Sequence, residues 1–145
     1  MSSLHAASSR RSEVATHRTR PGEHTGLVEP SIPPPAYTGS DFYCDVAIPD
    51  PGALEVVHLD ERVLAFHHTR PFWQVHVVVV PRRHIASFTT AGAAEEDDLR
   101  ALLGVVQQVA RKVEREHGAA AVLTNLGSYQ DSKHLHVHVH SGPRR

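Results

Sequence analysis

Between His134 and His140 the chain reads His-Leu-His-Val-His-Val-His, and a strict two-residue alternation of imidazole and aliphatic side chains is satisfied by one local structure, a β-strand. Such a strand projects His134, His136, His138 and His140 from one face and Leu135, Val137 and Val139 from the other. The aliphatic face needs an apolar cover. Any half-exposed strand alternates in this way, and a solvent-facing row of imidazoles would satisfy the pattern. A purely decorative face, however, rarely repeats a single residue type, and 13 of the 145 residues are histidine, several of them inside apolar runs where an imidazole needs a reason.

The cover lies between Ala94 and His117. There Leu99, Leu102, Leu103, Val106, Val109, Ala110 and Val113 recur at three- and four-residue steps and predict one amphipathic helix. Its first turn is acidic (Glu95 to Asp98), its last turn is basic, and Gly118 follows as a cap, all matching the helix dipole. Upstream, Leu54–Leu59 and Arg62–Phe66 flank Asp60-Glu61 as a hairpin, and Val75–Val80, β-branched and stopped by Pro81, suits a central strand covered on both faces. Ala120–Thr124 reads as a further strand, and Asn125–Lys133 as a polar loop. Strands separated by one long helix imply an α+β domain with a mainly antiparallel sheet.

Residues 1–40 are rich in Ser, Arg, Thr and Pro and are expected to form a disordered arm, leaving 41–145 as the domain. A net charge of -1, from 15 basic and 16 acidic residues, supplies no global field toward nucleic acid or an anionic membrane, so an anionic ligand must be held locally. One cysteine excludes an intramolecular disulfide, no apolar run approaches the roughly 20 residues of a membrane span, and the first 20 residues lack the apolar segment of a signal peptide. A cytoplasmic location is the expectation.

Imidazoles on one face can bind a metal, hold a phosphate or attack one. Successive same-face histidines lie about 6–7 Å apart along a strand, and zinc sites recruit further ligands from elsewhere. Phosphate chemistry can use the ladder nearly by itself: one neutral imidazole attacks phosphorus while its neighbours donate hydrogen bonds to the non-bridging oxygens.

The ladder resembles the His-φ-His-φ-His-φ-φ signature of the histidine triad (HIT) family, φ being apolar, except that His140 stands where an apolar residue is usual. The resemblance extends from about Asp41 to Gly142. Val63-Leu64-Ala65-Phe66-His67 is similar to the family's first hairpin, Val75–Ile85 to its apolar strand and basic turn, and Asn125-Leu126-Gly127-Ser128 to its Asn-x-Gly loop. It implies an antiparallel sheet of about five strands with one long helix, paired into a homodimer. It also implies hydrolysis of the α-phosphate bond of nucleoside monophosphate conjugates (phosphoramidate, phosphosulfate or dinucleotide), with no cofactor required for the chemistry. A nucleotidyl transferase or phosphorylase, and a non-catalytic nucleotide- or metal-binding module, are the alternatives.

The resemblance assigns roles residue by residue. His136 corresponds to the nucleophile, with His138, His76 and His134 completing the catalytic set; for His76 a core histidine satisfied by a backbone carbonyl remains the plainer alternative. Asn125, Gln130 and Ser132 correspond to phosphate-binding positions, and Asn125 could equally be an ordinary turn residue. His67, His68 and Trp73 fall at the nucleoside end, where one branch of the family has His-Asp; a neutral imidazole cannot reproduce the two acceptors of that carboxylate. Arg70, Phe72 and Trp73 could stack a base or bind a different leaving group, or Phe72 and Trp73 could be core or dimer contacts. Finally, Asp41, Cys44, His84 and His134 resemble a structural zinc site with one cysteine replaced by Asp, a legal tetrahedral set that is also what a decayed site would leave.

Overall fold

The computed structural model describes residues 41–145; the arm expected over residues 1–40 lies outside the described residues. Five strands form one antiparallel sheet in the order β1-β2-β3-β5-β4: β1 Val56–Leu59, β2 Val63–His67, β3 Trp73–Pro81, β4 Ala121–Leu123 and β5 Val137–Arg144. The helix α1, Glu96–His117, lies across one face.

Local chemistry explains the turns. The β1–β2 hairpin closes on Asp60, whose Oδ1 accepts the backbone N–H groups of Arg62 and Val63, each at 2.8 Å. The chain enters α1 through a turn in which Glu95 accepts the Gly92 N–H at 2.8 Å. The helix stops at Gly118, whose φ of 81° is open to a residue without Cβ, with its N–H returned to the Glu114 carbonyl at 2.8 Å.

β3 divides the core as its run of valines implies. Val77 and Val79 face α1 together with Val63, Ala65, Leu135 and Val139, while Val78 and Val80 face the other way with Leu64, Phe66, Tyr43 and Ala47. The helix contributes Leu102, Val105, Val106, Val109 and Val113. Leu103, expected in that stripe, is 58% exposed, because it falls one position past Leu102 and turns to the solvent side; Val105 takes the buried place. Asp98, in the acidic first turn, is buried and held by Arg62 at 2.8 Å and Arg83 at 3.2 Å. Among the described residues no helix is long and apolar enough to cross a membrane.

The last strand differs from the expectation of 134–140. Residues 134–136 leave the ladder because the Leu135 N–H bonds the Ile85 carbonyl at 2.6 Å rather than a β3 partner. At the other end β5 runs on to Arg144, which pairs with Trp73 across an irregular step where Gly142 takes φ 80°. A Cβ at Gly142 would lie 2.6 Å from the Gln74 side chain, so the strand crosses here only as glycine.

Candidate active site

The aliphatic half of the ladder packs on α1, as the alternation requires, but the histidine half is not a solvent-facing row. His134 is 0% exposed, and His136 and His138 are each 5% exposed. A single wide helical turn, Tyr43–Ala47, closed by the Ile48 N–H on the Tyr43 carbonyl at 2.9 Å, packs over this face. Tyr43 places its ring 5.4 Å from His134 and 5.1 Å from His136. From this segment the sequence resemblance alone points only to Asp41 and Cys44. The alternation of Asp41 and Tyr43 as buried residues with Phe42 between them is visible only once the turn is formed.

Hydrogen bonds fix which nitrogen of His136, His76 and His138 holds the proton. His136 Nδ1 lies 2.7 Å from the carbonyl of His134; a carbonyl only accepts, so Nδ1 carries the proton and Nε2 keeps a free lone pair. At His138 the logic runs the opposite way. The Phe72 N–H donates to His76 Nδ1 at 3.2 Å, so His76 Nε2 carries a proton and donates it to His138 Nδ1 at 2.8 Å. His138 must then hold its proton on Nε2, a buried atom with no partner. Burial, reinforced by the neighbouring imidazoles, pushes the His138 pKa down to about 3 and that of His76 to about 4. Burial also lowers His136, opposed by its bond to the His134 carbonyl and by Asp131. Neutral imidazoles, one presenting a lone pair and its neighbour a hydrogen, are the result.

A cavity of about 480 Å³ opens over them, lined by His136, His138, His68, Asn125 and Ser132. Asp131, Thr69, Arg70 and the rings of Phe42, Tyr43, Phe66 and Phe72 also reach it. Of the residues expected at the site, these five histidine, Asn and Ser positions converge. Others do not. His76 stands behind His138 as the second member of the relay, paired to an imidazole and an amide rather than to a carbonyl. Gln130, expected on the phosphate, is buried and gives its amide N–H to the Ala86 carbonyl at 2.7 Å and the His134 carbonyl at 3.3 Å, so it ties the loop to the ladder. His67 ends β2 on the helix side, near Glu55 at 3.9 Å, because alternation sends it opposite to Phe66. Trp73 stacks on His140 at 3.7 Å and 11°, with the Arg144 guanidinium 5.5 Å from the Trp73 ring centroid, and Phe72 takes its place in the cavity wall. His140 is thereby capped by an aromatic ring.

His134, expected in both the catalytic and the metal sets, lies among the residues of the second. Its Nε2–H donates to the Pro81 carbonyl at 2.8 Å, leaving Nδ1 bare and aimed at Cys44 Sγ (3.3 Å) and Asp41 Oδ1 (3.5 Å). His84 Nδ1 lies 3.5 Å from the same sulfur and 3.2 Å from Asp41 Oδ2. One donor atom from each of the four residues thus falls within 4.8 Å of the others. Asp41 Oδ2 is buried and, despite its proximity to His84, makes no hydrogen bond of acceptable angle. A tetrahedral zinc with bonds of about 2.0–2.3 Å separates its ligand atoms by roughly 3.3–3.7 Å, so the spacings fit an ion at the centre better than a network of hydrogen bonds. Burial and the adjacent Asp41 push the Cys44 thiol up to about 12.

Known proteins resemble both the sequence and the fold. The bifunctional adenosine 5'-phosphosulfate phosphorylase/adenylylsulfatase of Arabidopsis thaliana is 29% identical over 108 residues, 70% of either chain. A HIT-like protein of Azospirillum brasilense is 32% identical over 58% of this chain and 71% of its own. Among solved structures, a HIT family hydrolase from Clostridium thermocellum superposes with a TM-score of 0.64 at 25% identity, covering 74% of this chain and 94% of that one. A histidine triad protein from Clostridium difficile superposes at 0.59 and 28% identity, covering 74% and 96%. The HIT domain profile matches residues 53–144, which span every strand, the helix and all but the Asp41–Ile48 flank of the site. With the five-stranded antiparallel sheet, the single long helix and the histidine ladder in place, this chain belongs to the HIT domain family.

Proposed function

We propose that this protein hydrolyses nucleoside monophosphate conjugates through a nucleotidyl-histidine intermediate on His136. Membership of the family supports nucleotide-related hydrolase or transferase chemistry in general, and the opposed tautomers of His136 and His138 carry the finer reading. In the first step the free lone pair of His136 Nε2 attacks the α-phosphorus. The bond from phosphorus to the leaving group breaks, and the leaving group departs with the electron pair, taking a proton from solvent where it is an amine. In the second step water attacks phosphorus from the vacated side and loses its proton to solvent. The phosphorus–nitrogen bond breaks, freeing His136 and a nucleoside monophosphate.

His138 Nε2–H is suited to donate to a non-bridging oxygen whose charge grows in both transition states, and His76 keeps that hydrogen in place. Ser132 and the Asn125 amide supply further neutral donors on the cavity wall. Asp41, Cys44, His84 and His134 fit a structural zinc, which would clamp the Tyr43 turn and the basic turn after β3 to the ladder; no step of the reaction passes through it. A homodimer is part of the proposal, since an apolar stripe on α1 borders the short free edge strand β4.

Phosphorolysis differs only in that phosphate replaces water in the second step. The Arabidopsis relative's name joins the two activities. The test is a single turnover with nucleotide labelled at the α-phosphorus, quenched before completion. An acid-labile, base-stable adduct that is absent from His136→Ala is expected, and product analysis with and without phosphate separates the two acceptors. Full turnover by His136→Ala against a panel of adenosine and guanosine phosphoramidates, phosphosulfates and dinucleoside polyphosphates would rule out the His136 intermediate, and tight binding by the wild-type protein with no turnover of any of them would leave a binding module in its place.

A further inference from the structure

The loop Thr69–Phe72 holds two imidazoles by the same device. Besides the Phe72 N–H on His76, the Arg70 N–H donates to His68 Nδ1 at 3.0 Å, and the His68 ring stacks on His76 at 4.3 Å and 15°. With Nδ1 occupied as an acceptor, a neutral His68 carries its proton on Nε2. No acceptor among the described residues meets that hydrogen, and the side chain lines the cavity. Next to it Arg70 lines the same cavity, with no ion pair to its side chain among the described residues. The carboxylate in the cavity wall, Asp131, acts on His136, whereas the groups that bear on His68 are His136 and the Arg70 amide.

One wall of the cavity therefore offers a cation, a neutral donor and the two-way hydroxyl of Thr69, and no carboxylate. A sugar diol is held best by a carboxylate that accepts from both hydroxyls, and an amine needs an anion. A phosphate, sulfate or carboxylate needs what is there, and a guanidinium suits it through paired N–H groups. The His68 and His138 rings are close to parallel, 29° apart with centroids at 6.0 Å, so one ligand can place an oxygen on each. We propose that His68 and Arg70 form a second anion subsite, so that the substrate carries an anionic group beyond the phosphoryl attacked by His136. This rests on the hydrolase reading for the position of the first phosphoryl. It narrows the substrate class to conjugates with an anionic leaving group or a phosphorylated sugar, and away from simple amidates of neutral amines.

Calorimetric titration of the full-length protein with AMP, ADP and adenosine 3',5'-bisphosphate, and with their guanosine counterparts, tests it without requiring turnover. ADP or the bisphosphate is expected to bind at least about tenfold more tightly than AMP, the scale of one charge-assisted contact. Whichever gains identifies where the second anion sits: on the leaving-group side or on the sugar. Arg70→Gln and His68→Asn, the latter keeping an acceptor for the Arg70 N–H while deleting the Nε2 donor, should each reduce that preference to about twofold or less. His68→Gln, which restores a donor near Nε2, should recover part of it. Equal binding of all three ligands, or an undiminished preference in both variants with circular dichroism showing intact folds, overturns the subsite. If no conjugate is turned over while the preference and its loss in the variants persist, the hydrolase reading fails and the subsite stands. If AMP conjugates are turned over with no preference, the reverse holds.

Discussion

A single proton decides the role of each histidine, and that proton's place is set by a neighbour rather than by the histidine itself. His136 becomes nucleophilic because a carbonyl two residues back takes its Nδ1 hydrogen, and His138 becomes a donor because His76 takes its Nδ1 lone pair. His136→Ala should abolish turnover while the protein stays folded: the imidazole is buried, so its loss costs about 1–2 kcal/mol, visible in urea denaturation but too little to unfold a typical domain. His138→Ala should cost roughly 10²- to 10³-fold in kcat, the scale of one charge-stabilising donor, and a loss as complete as that of His136→Ala would contradict the assignment. The same burial predicts acid lability. His76 and His138 are held at about 4 and about 3, below their unfolded value near 6.5, so the unfolded chain binds more protons between those limits. Their contribution is intact above pH 6.5 and is lost as pH falls toward the folded values, by about 2 kcal/mol per imidazole at pH 5. Denaturation midpoints measured from pH 7.5 to pH 5 should decline, and His76→Gln should flatten the slope; a midpoint unchanged across that range would mean that these imidazoles are not buried neutral.

At the scale of elements, the periodicities were legible because each has one physical cause. Alternation fixed which side of residues 134–140 meets α1, the run Val75–Val80 marked the strand covered on both faces, and the acidic start and Gly118 marked the helix within two residues. What could not be read was whatever depends on two distant segments meeting. Nothing in the spacing of Gln130 shows that its amide reaches Ala86, nothing in His67-His68 tells which of the two faces the cavity until β2 ends, and the burial of the ladder needs the Tyr43 turn to be laid over it. Gln130 separates the two kinds of information experimentally. Gln130→Ala removes the side-chain donor from the Ala86 carbonyl and one of two donors from the His134 carbonyl, and should lower stability by about 1 kcal/mol with little change in KM; a tenfold rise in KM at unchanged stability would restore the phosphate-binding role read from the loop. The metal set is tested in the same way. Protein purified with zinc should hold one ion per chain by elemental analysis. Cys44→Ala should lose the ion and a large part of its thermal stability before it loses turnover at low temperature, because the four donors tie three segments together and touch no cavity atom that reacts.

Among the described residues of the molecule, an apolar surface is left uncovered. Phe88, Leu103 and Val122 are 61%, 58% and 50% exposed, and they border a trough of about 380 Å³ floored by Leu99, Val106, Leu135 and Val137. The trough runs beside β4, a three-residue strand at the edge of the sheet whose outer N–H and C=O groups face no other strand among the described residues. An apolar stripe and an open edge side by side are self-complementary under a two-fold axis: each copy can offer its edge to the other's edge and its helix face to the other's helix face. A patch of this character is unusual on a lone domain, and an edge this short is a poor template for open-ended growth, so closed pairing with a second copy is the expected outcome. Light scattering at micromolar concentration should give twice the chain mass, and Leu103→Glu, at an exposed position that contributes nothing to the folded core, should give the single-chain mass with an unchanged circular dichroism spectrum. Since the trough opens on the helix side of the sheet and the histidines on the other, the monomer so produced should still form the His136 adduct. A wild-type protein that is monomeric at these concentrations would remove the dimer, and a Leu103→Glu protein that remains dimeric would move its interface elsewhere.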